Sequence, residues 1–177
     1  MPSFNIDYLK TFCNPDEYKI FIETGTGYGG SLSQVQHHFE FCHTVELAEH
    51  IYKASSEKYK SDNTTFYLGD STHVLPTIVP LVDKPAIIFL DGHWSCGETA
   101  QGDKDCPLYE ELEAINKYLK PGLKTIIIID DYRLFGQGSW ADINKEECIK
   151  RVQDRLVNCI IRESTEAKED RLIMFLE

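Results

Sequence analysis

The sequence predicts an α/β protein, in which helices cover both faces of a mostly parallel sheet. Short apolar runs alternate with amphipathic helical patterns along most of the chain. Two runs, AIIFL at 86–90 and TIIII at 125–129, lack alternating polar positions, which is typical of strands buried on both faces. A glycine-rich turn follows the first strand, where α/β folds bind nucleotides. The 177 residues suit one domain.

The elements follow in order from a short helical lead-in at residues 1–17. Apolar runs predict seven strands, at 18–23, 41–46, 64–68, 85–90, 125–129, 156–162 and 171–176. Helical spacing of apolar residues predicts helices at about 30–39, 48–60, 72–79, 108–119 and 143–156. The last two strands flank the polar segment STEAKED, which is typical of an antiparallel hairpin.

Charge and composition exclude several partners. The formal net charge is -11, which argues against binding a nucleic-acid backbone. No apolar stretch approaches the ~20 residues of a membrane span, and the N-terminus lacks the pattern of a signal peptide. Six cysteines are scattered without a C-x-x-C motif, as reduced thiols in a cytoplasmic protein would be.

The glycine-rich turn lies in FIETGTGYGGS, residues 21–31. Gly25, Gly27 and Gly30 satisfy the dinucleotide pattern G-x-G-x-x-G. Counted from Glu23, the same stretch is E-x-G-x-G-x-G and resembles the first motif of class I S-adenosylmethionine methyltransferases. The glycines alone do not choose between these patterns.

Acidic residues end five consecutive predicted strands: Glu23, Glu46, Asp70, Asp91 and the pair Asp130-Asp131. Parallel sheets bind ligands at this edge. Glu46 is placed to accept hydrogen bonds from ribose hydroxyls, and a nicotinamide enzyme would use it in the same way. Asp70, in the segment GDS, resembles the methyltransferase position that accepts a hydrogen bond from the adenine amino group, with Ser71 beside the ring. Asp70 could also cap the following helix, and both roles can hold at once.

The acids after the fourth and fifth strands predict a site for Mg²⁺, Mn²⁺ or Ca²⁺. Their motifs, LDGH and IDDY, resemble the LD and DD motifs of metal-dependent O-methyltransferases, and DDY is similar to the macrocin-type sugar enzymes. The resemblance covers residues 18–177. It implies a Rossmann-like sheet of order 3-2-1-4-5-7-6 with an antiparallel C-terminal hairpin. His93 and Trp94 depart from the family pattern, in which another acid or an aromatic residue usually follows the LD motif.

The resemblance also implies functional residues. S-adenosylmethionine would contact Glu23, Thr24, Gly25, Gly27, Tyr28, Gly29, Ser31, Glu46, Leu47, Asp70, Ser71 and Asp91. The metal would be held by Asp91, Asp130 and Asp131, and catalysis would fall to His93, Asp91 and Asp131. His93 is the leading candidate for the general base, with Asp131 or Glu98 as alternatives.

A small-molecule or glycan acceptor would lie beneath the polar loop 92–105. We expect it to contact His93, Trp94, Glu98, Arg133 and Trp140. Zinc binding by His93, Cys96 and Cys106 is disfavoured, because no fourth ligand has suitable spacing.

The favoured function is methylation of a hydroxyl group on a sugar or another vicinal diol. One alternative is an NAD(P)-dependent oxidoreductase, although no Y-x-x-x-K motif follows the fourth or fifth strand. The other is a non-catalytic binding domain, which could belong to a larger glycan-processing protein. The oligomeric state is not predicted.

Overall fold

A computed structural model of the protein describes residues 4–93 and 106–177. Seven strands form one sheet in the order β3-β2-β1-β4-β5-β7-β6, and β7 runs antiparallel to both of its neighbours. The strands are β1 (Ile20–Thr24), β2 (Phe41–Glu46), β3 (Thr64–Leu68), β4 (Ala86–Leu90), β5 (Thr125–Ile129), β6 (Leu156–Arg162) and β7 (Arg171–Leu176). The predicted fold class and strand order are confirmed.

Six α-helices lie within the described residues: α1 (Ile6–Leu9), α2 (Leu32–Val35), α3 (Glu49–Lys58), α4 (Ser71–Ile78), α5 (Leu108–Tyr118) and α6 (Lys145–Val152). α1 and a single turn at Pro15–Glu17 make up the helical part of the N-terminal lead-in. None of these helices has both the length and the apolar character needed to cross a bilayer.

Alternating side chains divide the core into two layers. Ile20 and Ile22 face the layer that packs against α4, α5 and α6, whereas Phe21 faces the opposite layer. In that second layer the ring of Phe4 stacks on those of Phe21 and Phe89, with centroids 5.8 and 4.3 Å away. Every residue of β4 and β5 is buried. These two central strands therefore give rigid support to the residues that directly follow them.

The helix α2 is shorter than the predicted helix at 30–39. The Asn63 side chain donates to the carbonyl oxygens of Gln36 and Phe39 at 2.7 and 2.9 Å. These carbonyls are therefore held by the residue before β3 instead of by a further helical turn. The last helix likewise ends early, at Val152, because Leu156 already begins β6.

Strand register brings the candidate site together. Thr24 pairs with Leu90, and Leu90 pairs with Ile129, so β1, β4 and β5 end level with one another. The next residues along the chain, Asp91 and Asp130, therefore emerge at the same edge of the sheet.

Candidate active site

The glycine-rich turn packs closely against the tip of β4. Gly25, Gly27 and Gly29 have φ values of 79°, 50° and 77°, which favour glycine over any residue with a side chain. A Cβ atom on Gly25 would lie 2.2 Å from the carbonyl oxygen of Asp91. Glycine is therefore needed at position 25 both for the turn and for the contact with β4.

Glu46 ties this turn to the start of α3. One carboxylate oxygen accepts from the backbone N–H of Gly27 at 2.9 Å, and the other accepts from Ala48 at 2.8 Å. Each carboxylate oxygen can accept a second hydrogen bond. Glu46 can thus hold the turn in place and still accept from ribose hydroxyls, the role predicted for it.

Glu23 lies beneath the turn, with only 1% of its surface exposed. Its carboxyl accepts from the Thr44 hydroxyl at 2.9 Å, and Thr44 in turn contacts the Thr26 hydroxyl at 2.5 Å. Burial raises the pKa of Glu23 to about 8 despite the Thr44 hydrogen bond, and the charge of Glu46 adds to the rise. Glu23 is therefore mostly protonated at neutral pH.

Asp70 caps α4, as one of its two predicted roles requires. Its Oδ1 atom accepts from the backbone N–H of Thr72 at 2.9 Å and from the Thr72 hydroxyl at 2.7 Å. The other carboxylate oxygen is left for an adenine amino group, and that contact stays a prediction.

Three side chains converge beyond the tips of β4 and β5. Asp91, His93 and Asp131 each offer a ligand atom, and these atoms all lie within 4.8 Å of one another. His93 Nε2 lies 2.8 Å from Asp131 Oδ2, and His93 Nδ1 lies 3.6 Å from Asp91 Oδ1. Asp131 reaches this position with a left-handed φ of 56°, which is uncommon for a residue with a side chain. Such conformations are concentrated at functional sites.

The three groups change one another's protonation. Burial lowers the pKa of His93, but the hydrogen bond with Asp131 and the charge of Asp91 outweigh this effect and raise it above 6.5. Burial raises the pKa of Asp131, whereas His93 and Arg133 lower it below its usual range. Loss of water and then repulsion from Asp130 raise the pKa of Asp91. His93 is thus more basic than an ordinary histidine, and it lies between two carboxyls of unequal acidity.

Asp130 has a different partner from the one that the sequence predicts. Its carboxylate accepts from Arg171 Nε at 2.9 Å, and Asp130 lies outside the group formed by Asp91, His93 and Asp131. Arg171 is fully buried, with its guanidinium 4.5 Å from the ring centroid of Tyr8. Asp130 thus pairs with a buried cation, and its predicted role as a metal ligand stays a prediction.

Arg133 joins the tip of β5 to the β6–β7 hairpin. Its Nη1 atom contacts both Asp131 and Asp170, and the Ser164 hydroxyl also contacts Asp170. The backbone N–H of Tyr132 donates to the Asp170 carbonyl at 2.8 Å. The position of Asp131 therefore depends on residues about 40 positions later in the chain.

The residues predicted to contact the methyl-accepting molecule lie in different environments. Trp140 is 5% exposed and packs its ring 4.9 Å from that of His93, so it supports His93 instead of offering an open face. Trp94 and Glu98 lie outside the described residues.

Among the residues predicted to contact the cofactor, Thr24 and Ser71 are buried and Tyr28 is exposed, while Ser31 and Leu47 are partly exposed.

Glu111 is a site residue that the sequence reasoning missed. It is 2% exposed and lines a small cavity together with His93 and Trp140. Burial raises its pKa to about 7, against the opposing effect of the Ser71 and Thr24 hydroxyls. The spacing along the sequence could have identified Glu111, because an acid three residues after Leu108 lies on the inward face of α5.

No family model matches the chain, and neither does any curated protein sequence. Solved structures share its fold at low identity. A protein assigned as an O-methyltransferase from Klebsiella pneumoniae has a TM-score of 0.65 and 16% identity, over 96% of this chain and 78% of its own. A protein assigned as an S-adenosylmethionine-dependent methyltransferase from Listeria monocytogenes has a TM-score of 0.61 and 11% identity, over 96% and 95%.

The fold itself does not fix the reaction. The spermidine synthase of Thermotoga maritima also matches, with a TM-score of 0.62 and 14% identity. That match covers 96% of this chain, which spans 58% of the synthase. The chain therefore has the fold seen in S-adenosylmethionine-dependent methyltransferases, and its activity must be argued from its own residues.

Proposed function

We propose that the protein is an S-adenosylmethionine-dependent O-methyltransferase that acts on a hydroxyl of a sugar or another vicinal diol, assisted by a divalent cation. One observation carries the proposal: Asp91, His93 and Asp131 converge at the strand tips directly beside the glycine-rich turn. This arrangement puts a group that can activate a hydroxyl next to the turn where α/β folds hold nucleotides.

The sheet favours S-adenosylmethionine over a nicotinamide cofactor. Dinucleotide-binding folds commonly order their strands 3-2-1-4-5-6, whereas this sheet inserts an antiparallel β7 between β5 and β6. The structural neighbours assigned as methyltransferases support the same choice. In the proposed complex Glu46 accepts from the ribose hydroxyls, and Asp70 accepts from the adenine amino group.

His93 supplies the base in this proposal. A sugar hydroxyl is a poor nucleophile until it loses its proton, and an imidazole is the commonest side chain to accept one. Asp131 orients the ring and stabilises the imidazolium that forms. Because the hydrogen bond with Asp131 and the charge of Asp91 raise the pKa of His93, its neutral form grows at higher pH than that of an ordinary histidine, and activity should increase with pH along that limb.

The chain's donors fit a divalent cation. Two carboxylates and one imidazole can provide ligand atoms at mutual distances within 4.8 Å. The imidazole makes this mixed set better suited to Mn²⁺ than to Mg²⁺ or Ca²⁺, which prefer oxygen ligands alone. When bound, such an ion lowers the pKa of a hydroxyl that coordinates it. A ring nitrogen that binds the ion cannot accept a proton, so His93 would act as the base only through the nitrogen that the ion leaves free, and ion binding and protonation of His93 compete.

The test measures transfer of a labelled methyl group from S-adenosylmethionine to a panel of saccharides. His93→Gln and Asp131→Asn should each lower kcat/KM by about 10²- to 10⁴-fold, the usual contribution of a general base. Both variants should bind S-adenosylhomocysteine within a few-fold of the parent, as measured by calorimetry. His37→Gln, at an exposed histidine after α2, is the matched control and should be unaffected.

Two further measurements separate the components of the proposal. Removing divalent ions with a chelator should reduce turnover, and Mn²⁺ should restore it better than Ca²⁺ does. If turnover is unchanged by the chelator, the cation assignment fails and His93 acts as a base alone. If calorimetry shows that the protein binds NAD and does not bind S-adenosylhomocysteine, the methyltransferase assignment fails.

A further inference from the structure

A second opening adjoins the candidate active site on the side of the β6–β7 hairpin. We call it the hairpin groove and define it by its lining: Tyr132, Arg133, Phe135, Ala167, Lys168 and Glu169. Its volume of about 600 Å³ falls within the range of about 300–1,000 Å³ that is usual for ligand pockets.

Arg133 connects the groove to the candidate active site. It lines the groove and also contacts Asp131, which in turn contacts His93. A molecule in the groove therefore lies one side chain away from the group proposed to activate the acceptor. The other wall is held in place because Asp170, next to Glu169, is tied to both Arg133 and Ser164.

The charges of the lining favour a neutral ligand. Arg133 carries a positive charge, but its contacts with Asp131 and Asp170 compensate it. Lys168 and Glu169 add one charge of each sign, both side chains are exposed, and neither makes an ion pair within the described residues. The groove thus has no excess of positive charge with which to attract a phosphate or sulfate group.

The hydrogen-bonding groups favour a polyhydroxylated ligand. Both ion pairs of Arg133 use Nη1, so the Nε and Nη2 hydrogens remain available as donors. Lys168 adds three donors and Glu169 adds acceptors. The rings of Tyr132 and Phe135, with centroids 4.9 Å apart, supply an apolar surface against which the C–H groups of a sugar ring can pack. Hydroxyl groups, unlike purely anionic or cationic groups, can use donors and acceptors at once.

We propose that the hairpin groove binds a neutral saccharide unit next to the one that is methylated, so that the preferred acceptor is a disaccharide or a longer glycan. This inference rests on the proposed function, because it assigns the methyl-accepting unit to the neighbouring site at His93.

The test compares methyl glycosides of single sugars with the matched disaccharides, for example methyl glucoside with methyl maltoside and methyl cellobioside. Binding is followed by backbone amide chemical shifts of the full chain, saturated with S-adenosylhomocysteine, and turnover by transfer of a labelled methyl group. We expect a disaccharide to shift the amides at 132–135 and 167–169 and to have a higher kcat/KM than its monosaccharide.

Two exposed substitutions probe the groove itself. Lys168→Ala removes donors, and Glu169→Gln replaces a charged acceptor by a neutral one. Each should raise the KM for the disaccharide about tenfold, as loss of one charge-assisted hydrogen bond predicts, and leave the KM for the monosaccharide unchanged. The controls are Glu166→Gln, in the same turn but outside the lining, and Lys60→Ala, an exposed lysine before β3. Neither control should change the KM for either sugar.

The outcomes separate the two proposals. Equal kinetics for single sugars and disaccharides, with no effect of the variants, would overturn the groove assignment and leave methyl transfer standing. Shifts at 167–169 without any turnover would retain the saccharide groove and remove the proposed reaction. Shifts with inorganic sulfate and not with neutral disaccharides would overturn the groove assignment in favour of an anion site.

Discussion

The two halves of the candidate site neutralise their acids in different ways. At the tips of β1 and β2, Glu46 is held by backbone N–H groups, and the buried Glu23 keeps its proton. At the tips of β4 and β5, the acids face side-chain cations: Asp131 contacts His93 and Arg133, and Asp130 contacts Arg171. The first half therefore depends on local backbone geometry, whereas the second depends on charged partners from distant parts of the chain.

This difference suits the two halves of the site to different roles. Backbone donors cannot be titrated or displaced, so the β1–β2 half is suited to hold the ribose of the proposed cofactor, which does not change during methyl transfer. Side-chain cations can exchange with a proton or a metal ion, so the β4–β5 half is suited to reactions in which charge moves. Three substitutions test the contrast.

The largest effect is expected for Arg171→Met. It would leave the largely buried Asp130 carboxylate without this cation, which should lower the free energy of unfolding by about 3–5 kcal/mol. The measurement is urea denaturation, with Arg162→Met at an exposed arginine as the control. The double variant Asp130→Asn/Arg171→Met should recover much of the loss. If the free energy of unfolding of Arg171→Met lies within about 0.5 kcal/mol of the parent's value, the range of an ordinary surface substitution, the ion pair between Asp130 and Arg171 does not stabilise the fold.

An intermediate effect is expected for Glu46→Gln. The amide keeps one acceptor but points an N–H₂ group at a backbone N–H, so one charge-assisted hydrogen bond is lost, at a cost of about 1.5–3 kcal/mol. Binding of S-adenosylhomocysteine should weaken about tenfold or more by calorimetry. Glu49→Gln, at the exposed start of α3, should bind like the parent. Unchanged binding in the Glu46 variant would remove this residue from the cofactor site.

The smallest effect near pH 4 is expected for Glu23→Gln, because the side chain at position 23 is uncharged there in both folded proteins. The folded pKa of about 8 lies above the value of about 4.3 in an unfolded chain, so the folded state binds the proton more tightly. The parent should therefore lose stability as pH rises from about 4.3 to about 8, by up to about 1.4 kcal/mol per pH unit, and lose no more above that range.

The Glu23→Gln variant should lack this component of the pH dependence. The comparison is made by urea denaturation at several pH values, with Glu57→Gln at an exposed glutamate on α3 as the control. Parallel stability curves for the parent and the Glu23 variant would show that Glu23 is ionised in the folded protein.

The same contrast explains what the sequence could predict. The strands and the acids at five strand tips follow from hydrophobic patterning, which is a local signal, and they were predictable. The strand order was predicted through the resemblance to class I methyltransferases. The pairing of Asp130 with Arg171 was not, because these residues are far apart in the chain and meet only when β7 packs against β5. The burial of Trp140 against His93 depends on tertiary packing in the same way.

The close approach of Gly25 to Asp91 has a consequence for how ligands bind. With no side chain between them, the turn and the strand tip cannot shift independently. Ligands on the two halves should therefore be thermodynamically linked. A cofactor bound at the β1–β2 half would raise the affinity for a ligand at the β4–β5 half, and that ligand would raise the affinity for the cofactor by the same factor. In the proposed reaction, this linkage would favour the complex that holds both ligands over either complex that holds one.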